Sequence, residues 1–92
     1  MDIFGQIVEK IINEQEKIIG PIALEQARKV QGLEFDLQKH EIKFKGNQKE
    51  ILEKLIEQYS HLFGQASVEV CKDAARSLIS SVSKDQVPSQ LQ

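Results

Sequence analysis

The sequence predicts a mixed α+β domain that is mostly helical, with the element order α-α-β-β-α-α. One observation is a helix-like apolar stripe that ends at a glycine and is followed by a second short helix, because this unit occurs twice at a period of 44 residues. Between the two copies the apolar period shortens from about 3.6 residues to about 2, which is typical of strands. The sequence therefore predicts two helical pairs and one β-hairpin.

The two copies cover residues 7–30 and 51–74, and six of their 24 aligned positions are identical. Gly20 aligns with Gly64, and Glu25 aligns with Glu69. We interpret the unit as an internal helix–glycine–helix duplication whose copies pack about a pseudo-two-fold axis. Residues 1–83 are expected to form a single domain. The apolar period stops after Val82, so residues 84–92 are expected to form a flexible tail.

The first helix is expected to follow Asp2, whose side chain can cap it. Apolar residues then recur at helical spacing up to Ile19, with Gln15 as the only polar interruption of the stripe. Gly20 and Pro21 are predicted to form a structural bend, because proline lacks an amide donor and disfavours helix in the residue before it. A second helix is expected from Pro21 to about residue 30.

The hairpin is predicted over residues 33–45, with its turn at residues 38–40. Its alternating apolar residues share one face: Leu33, Phe35, Leu37, Ile42 and Phe44. An isolated two-stranded hairpin is marginally stable in water, so this one must lie on the helices or pair with another hairpin.

The helix that contains the start of the second copy is expected to have Asn47 as its N-cap, because Glu50 follows at capping-box spacing. Gly64 is the equivalent structural bend, but Gln65 replaces the proline, so either a kink or a turn held by tertiary packing is possible there. The last helix is expected to continue to Val82, which makes it longer than its counterpart.

Composition excludes several classes of protein. The chain has a net charge of −2 and no block of like charge, so nothing points to a nucleic-acid backbone or an anionic membrane. The sequence has neither a signal-peptide pattern nor an apolar run of membrane-spanning length. The lone Cys71 fits a reducing compartment. We therefore expect a cytoplasmic protein that does not bind membranes, with nucleic acid an unlikely partner.

The repeated carboxylates Glu25 and Glu69 could in principle bind a metal or act as acid and base. A helical wheel places both away from the apolar stripe, and Arg28 and Lys72 stand three residues further on. This is the spacing of surface ion pairs, and we favour that interpretation.

The remaining chemical groups are isolated in sequence. His40 and His61 lack the neighbouring ligands of a zinc site, and Cys71 lies on an inward face where a thiol acts as a small apolar group. The sequence thus predicts no catalytic residue, no metal site and no cofactor. We interpret the chain as a non-enzyme.

Residues 18–23, Ile-Ile-Gly-Pro-Ile-Ala, together with Ala27 resemble a small helical segment of bacterial signalling proteins, sometimes found near protein-kinase or roadblock-type domains. The resemblance covers about a dozen residues per copy, and the second copy departs from it at Gln65 and Ala66. It implies a regulatory or scaffolding role and carries over no functional residue.

We therefore expect a non-enzymatic protein–protein interaction or oligomerisation module in bacterial regulation or signalling, acting as a homodimer or with a protein partner. The candidate interface comprises residues of the longer last helix and of the hairpin: Leu78, Ile79, Val82, Phe35 and Phe44. One alternative is a domain that binds a small apolar or acyl ligand between the helix pairs. A less favoured alternative is weak nucleic-acid binding through the lysine-rich hairpin, since its phenylalanines share the phase of the core.

Overall fold

The computed structural model describes residues 2–92 and confirms the predicted order α-α-β-β-α-α. The helices and strands are α1 (Ile3–Ile19), α2 (Ile22–Arg28), β1 (Leu33–Asp36), β2 (Glu41–Phe44), α3 (Gln48–Phe63) and α4 (Gln65–Ala75). Short 3₁₀ turns follow at Ile79–Ser81, Lys84–Gln86 and Ser89–Leu91.

The two long helices begin side by side. Asp2 Oδ1 accepts a hydrogen bond from the Gly5 N–H at 2.8 Å, and Asn47 Oδ1 accepts one from the Glu50 N–H at 2.9 Å, so both predicted caps are present. The side-chain amide of Gln48, the first residue of α3, donates to Asp2 Oδ2 at 2.8 Å. These hydrogen bonds from Gly5 and Gln48 hold the pKa of Asp2 below its ordinary value.

Both long helices end at the aligned glycines. Gly20 has φ 75° and ψ −157°, and Gly64 has φ 79° and ψ −165°. Only glycine adopts this combination of angles readily. Each glycine N–H donates to the carbonyl four residues earlier, that of Glu16 at 2.9 Å or of Ser60 at 2.8 Å. The second copy therefore breaks without a proline.

Equivalent polar groups connect the two copies. Gln15 Nε2 on α1 donates to the Ser67 carbonyl on α4 at 3.0 Å, and the Tyr59 hydroxyl on α3 donates to the Ala23 carbonyl on α2 at 2.7 Å. Gln15 aligns with Tyr59, and Ala23 aligns with Ser67, at the same period of 44 residues. Each long helix thus bonds to the short helix of the other copy from the aligned position. The duplication itself stays a prediction, but these paired contacts have the arrangement that it requires.

The core is formed by the apolar stripes of both copies. The residues of the long helices that are at most 4% exposed include Ile7, Val8, Ile11 and Ile12 of α1 and the aligned Ile51, Leu52, Leu55 and Ile56 of α3. The short helices add smaller side chains, Ala23, Ala27, Cys71, Ala74 and Ala75, which let the helices approach closely.

The hairpin packs on this core. Its strands pair antiparallel with Leu33 opposite Phe44 and Phe35 opposite Ile42, and they contact α1 and α2. The turn covers residues 37–40, so it includes Leu37, which the alternating pattern placed in the first strand. Asp36 Oδ1 accepts from the N–H groups of Gln38 and Lys39 at 3.1 and 3.3 Å, which favours the turn over further strand.

The structure corrects the predicted length of the last helix. Helix α4 ends at Ala75 and does not reach Val82. Beyond it, the Leu78 N–H donates to the Ala75 carbonyl at 2.9 Å and the Ser81 N–H to the Leu78 carbonyl at 3.1 Å, which is 3₁₀ spacing. This segment is rich in serine, whose hydroxyl competes with the backbone for hydrogen bonds and weakens helix.

The structure also corrects the predicted flexible tail. Within residues 84–92, Val87 is 6% exposed and Leu91 is 7% exposed, and Pro88 is buried as well. The last 3₁₀ turn packs against α4, and Lys49 Nζ donates to the Asp85 carbonyl at 2.9 Å. The apolar residues of the tail are too few to show a period, but they are enough to attach the segment to the core.

Candidate interaction surface

The large apolar side chains that remain exposed in residues 2–92 lie at the glycine bends. Ile18 is 63% exposed, Ile22 is 37% exposed and Leu62 is 47% exposed. Ile18 and Ile22 stand two residues on either side of Gly20, and Leu62 stands two residues before Gly64. Ile18 aligns with Leu62. We call these three side chains the bend surface.

The two bends lie at the same end of the molecule. Helices α1 and α3 have 17 and 16 residues and start side by side at Asp2 and Gln48. Near their other ends, Gln15 and Tyr59 bond to the beginnings of α4 and α2, which follow directly after the bends. The exposed apolar side chains of both copies therefore lie toward one end of the molecule, and exposed apolar side chains at one end are candidates for a contact site.

A recess lies beside each long helix. The first, of about 380 Å³, lies between α1 and α4 beside Ile18. The second, of about 340 Å³, lies between the end of α2 and α3. Aligned positions line both recesses: Lys10 and Lys54, Glu14 and Gln58, Asp73 and Lys29, and Ala74 and Val30.

The recesses differ in charge although they correspond in position. The first is lined by the carboxylates of Glu14 and Asp73 and by one cation, Lys10. The second is lined by Lys29 and Lys54, by one carboxylate, Glu57, and by His61. Carboxylates are thus in excess in the first recess and lysines in the second. Glu14 forms an ion pair with Lys17 at 3.2 Å, and Asp73 forms one with Arg76 at 2.6 Å. Both pairs are exposed, so they compete weakly with a charged partner.

The predicted interface residues are half-buried against the core. Leu78, Ile79 and Val82 follow α4, and Phe35 and Phe44 lie on the inner face of the hairpin. Ile79 and Val82 line an open groove of about 420 Å³ together with Val87 and Leu91. Their role at an interface stays a prediction.

Glu25 and Glu69 are exposed, as the helical wheel predicts. The predicted ion pairs with Arg28 and Lys72 are absent from the salt bridges of residues 2–92. The Arg28 guanidinium instead lies 4.9 Å from the centre of the Phe35 ring, a cation–π contact. The three-residue spacing of Glu25 and Arg28 permits an ion pair, but the Arg28 guanidinium contacts the aromatic ring of the hairpin instead.

The histidines have different environments. His40, in the hairpin turn, has Nδ1 2.8 Å from Glu9 Oε2 and so connects the turn to α1. His61 is exposed and lines the second recess. Neither belongs to a metal-binding set, because no group of three or more His, Cys, Asp or Glu side chains within residues 2–92 is placed to hold an ion.

Cys71 lies in the core, at the contact between α1 and α4. Burial raises the pKa of its thiol to about 11, and the hydrogen bond from Gln15 Nε2 at 3.5 Å only partly opposes this rise. Burial likewise raises the pKa of the Tyr59 hydroxyl above its ordinary value. Both groups are protonated at neutral pH, and a protonated buried thiol is a poor nucleophile.

Several basic side chains of the lysine-rich hairpin already make contacts within the protein. Lys45 Nζ lies 2.7 Å from Glu34 Oε2, and this contact raises the pKa of Lys45 and lowers the pKa of Glu34. Lys49 donates to the Asp85 carbonyl, and Phe35 lies beneath Arg28. Neither half-buried phenylalanine is presented for stacking on a base, so the geometry offers little support for nucleic-acid binding.

Comparison with protein-family models, curated proteins and solved structures finds no match to this chain. In the part of the chain that the structure describes, no helix has the length and apolar character needed to cross a membrane. The bend surface is therefore the feature that best indicates a function.

Proposed function

We propose that this protein is a non-enzymatic interaction and oligomerisation module of bacterial regulation or signalling, acting in the cytoplasm, and that its bend surface pairs two copies of the chain. The observation that carries the proposal is the exposure of Ile18, Ile22 and Leu62 beside two bends that lie toward the same end of the molecule. The regulatory context rests on the resemblance of residues 18–23 to segments of signalling proteins.

Charge favours a second copy as the partner. In a two-fold pair, the first bend of one copy can face the second bend of the other, and the reverse contact follows by symmetry. This arrangement brings Glu14 and Asp73 of each copy toward Lys29 and Lys54 of its partner. Apolar side chains then meet at the centre, with opposite charges at the rim, which is the usual composition of a protein interface.

Sedimentation equilibrium at micromolar concentration tests the proposal. The wild-type protein should sediment at twice the monomer mass of 10.5 kDa. Ile18→Lys or Leu62→Lys should weaken association by about tenfold or more, because each places an unpaired charge at the centre of the interface. Glu25→Ala, a substitution at an exposed position of α2, is the matched control and should leave association unchanged.

A charge exchange tests the predicted orientation of the two copies. Asp73→Lys alone should weaken the dimer, and combining it with Lys29→Asp should restore association. Wild-type protein that sediments as a monomer at these concentrations would show that the bend surface does not pair two copies. If the wild-type protein is a dimer but the double variant does not regain association, the two copies meet in another orientation.

A second candidate function is the binding of a small apolar or acyl ligand. Side chains that are fully buried occupy the space between the helix pairs, where the sequence suggested such a ligand. The open groove lined by Ile79, Val82, Val87 and Leu91 is the specific observation in its favour, and Lys84 at its edge could meet a carboxylate. Native mass spectrometry of the purified protein would show a bound molecule as additional mass.

A further inference from the structure

The outer edge of β1 has backbone groups that no other strand uses. The Lys45 N–H donates to the Gly32 carbonyl at 2.7 Å, and antiparallel pairs alternate between bonded and non-bonded, so Glu34 and Asp36 bond toward β2. The N–H and C=O of Phe35 consequently point away from β2. Neither group takes part in the turn, loop or cap hydrogen bonds within residues 2–92.

A groove lies between this strand and α2. Its volume is about 370 Å³, and its lining residues are Leu24, Arg28, Phe35, Asp36, Leu37 and Gln38. Leu24 and Leu37 are half-buried and supply apolar walls. A strand edge beside a helix, with an apolar recess between them, is the arrangement in which proteins bind an extended peptide as an additional strand.

The charges around the groove restrict which peptide would fit. Glu34 and Asp36 point to the solvent side of β1 and are exposed. Glu34 is paired with Lys45, but both side chains are exposed and such a pair is weak, so basic residues opposite Glu34 and Asp36 on an added strand should still be favoured. The Arg28 guanidinium lies on the groove side, so a side chain pointing inward should not be basic. An apolar side chain satisfies the inward position because Leu24 and Leu37 are there.

We propose that the groove between β1 and α2 binds an extended segment of a partner protein in which apolar and basic residues alternate, and that this segment adds to β1 as a third strand. The other edge of β1 already pairs with a segment of this kind, because apolar and basic residues alternate in Ile42-Lys43-Phe44-Lys45 of β2 and the residue after it. The site is separate from the bend surface, so it adds a second binding activity to the proposed pairing of two copies.

The probe is a capped synthetic peptide, Lys-Val-Lys-Val-Lys, added to the ¹⁵N-labelled full chain and followed by NMR. The Phe35 amide should show the largest slowing of hydrogen exchange, because it becomes a ladder donor. Among the other amides, those of Leu24 and Leu37 should shift most. Glu-Val-Glu-Val-Glu should bind at least about tenfold more weakly. The basic peptide with both valines N-methylated should also bind at least about tenfold more weakly, because the valines lie on the inward face and their amides are the ladder donors to β1.

Two variants complete the experiment. Glu34→Lys changes an exposed side chain and removes its surface ion pair with Lys45, which contributes little to stability. It should reduce binding of the basic peptide by about fivefold or more and keep the fold. Leu62→Lys, on the bend surface, should leave peptide binding unchanged, whereas it should weaken the pairing of two copies. A variant that no longer pairs but still binds the peptide, or one that pairs but no longer binds the peptide, shows that the two proposals can fail independently.

Three results would overturn the inference. One is unchanged exchange at Phe35 in saturating basic peptide, and another is equal affinity for the acidic peptide. The third is a Phe35 amide that becomes protected as the protein alone is concentrated, because the strand of a second copy would then occupy the edge.

Discussion

Two buried polar residues have a structural role that their place in the sequence does not reveal. Gln15 interrupts the apolar stripe of α1, and its aligned residue Tyr59 is a plausible member of the stripe of α3. In the structure both are at most 1% exposed, and both donate to a carbonyl of the opposite short helix. A buried donor must find an acceptor, so these residues fix which helices pair and in which register.

Tyr59→Phe should lower the free energy of unfolding by about 1 kcal/mol, because it removes the hydrogen bond to the Ala23 carbonyl and keeps the ring in place. Gln15→Met is the matched change on the other side, with similar size and no donor to the Ser67 carbonyl, and it should cost about the same. Urea denaturation measures both. A cost confined to one of the two would mean that the aligned bonds are not energetically equivalent.

At the level of helices and strands, most boundaries followed from local chemistry. Asp2 and Asn47 cap the long helices, and the aligned glycines end them, as the sequence predicts. The failures lie where local preference is weak. Helix α4 was predicted to reach Val82 because the apolar period continues through a serine-rich segment. The helix instead ends at Ala75, and 3₁₀ hydrogen bonds follow it.

Gly20→Ala and Gly64→Ala should each destabilise the protein by about 1–3 kcal/mol through backbone strain alone. A Cβ atom at either position would meet nothing within 4 Å, so steric overlap contributes no part of the cost. Since the two glycines have nearly the same φ and ψ angles, the two costs should be similar. Thermal unfolding followed by circular dichroism measures them.

Pro21→Ala is the control for the bends. Pro21 is exposed and has φ −58°, an angle that alanine also adopts. Its replacement should cost under about 1 kcal/mol, mostly through greater freedom of the unfolded chain. If Gly20→Ala and Gly64→Ala unfold at the same temperature as the wild type, the bends relax to ordinary backbone angles.

For the whole molecule, the sequence predicted the core but not which of its apolar residues stay in water. Ile18 and Leu62 belong to the apolar stripes by spacing, yet the chain turns at the following glycine before any element covers them. Whether another element covers these side chains depends on the angle between the helices, and the apolar period of the sequence does not predict that angle. The position of residues 84–92 depends in the same way on a surface of α4 that exists only after folding.

Removal of residues 84–92 should destabilise the domain by about 2–5 kcal/mol, because it uncovers the part of α4 against which Val87 and Leu91 pack. Guanidinium denaturation of a chain ending at Ser83 measures the loss. The paired change Ser89→Ala, at an exposed position of the same segment, should have little effect. Equal stability of the shortened and full chains would mean that the segment adds no net free energy.

The pairing of α1 with α4 also determines how the protein must be made. A ribosome releases α1 first and α4 much later, with the hairpin and α3 between them. Until residue 75 has left the exit tunnel, the apolar side of α1 lacks the helix that covers it, and Gln15 lacks its acceptor on Ser67. The nascent chain therefore exposes its most apolar segment for most of its synthesis. We expect that interval to be when chaperones bind this protein and when it is most prone to aggregate.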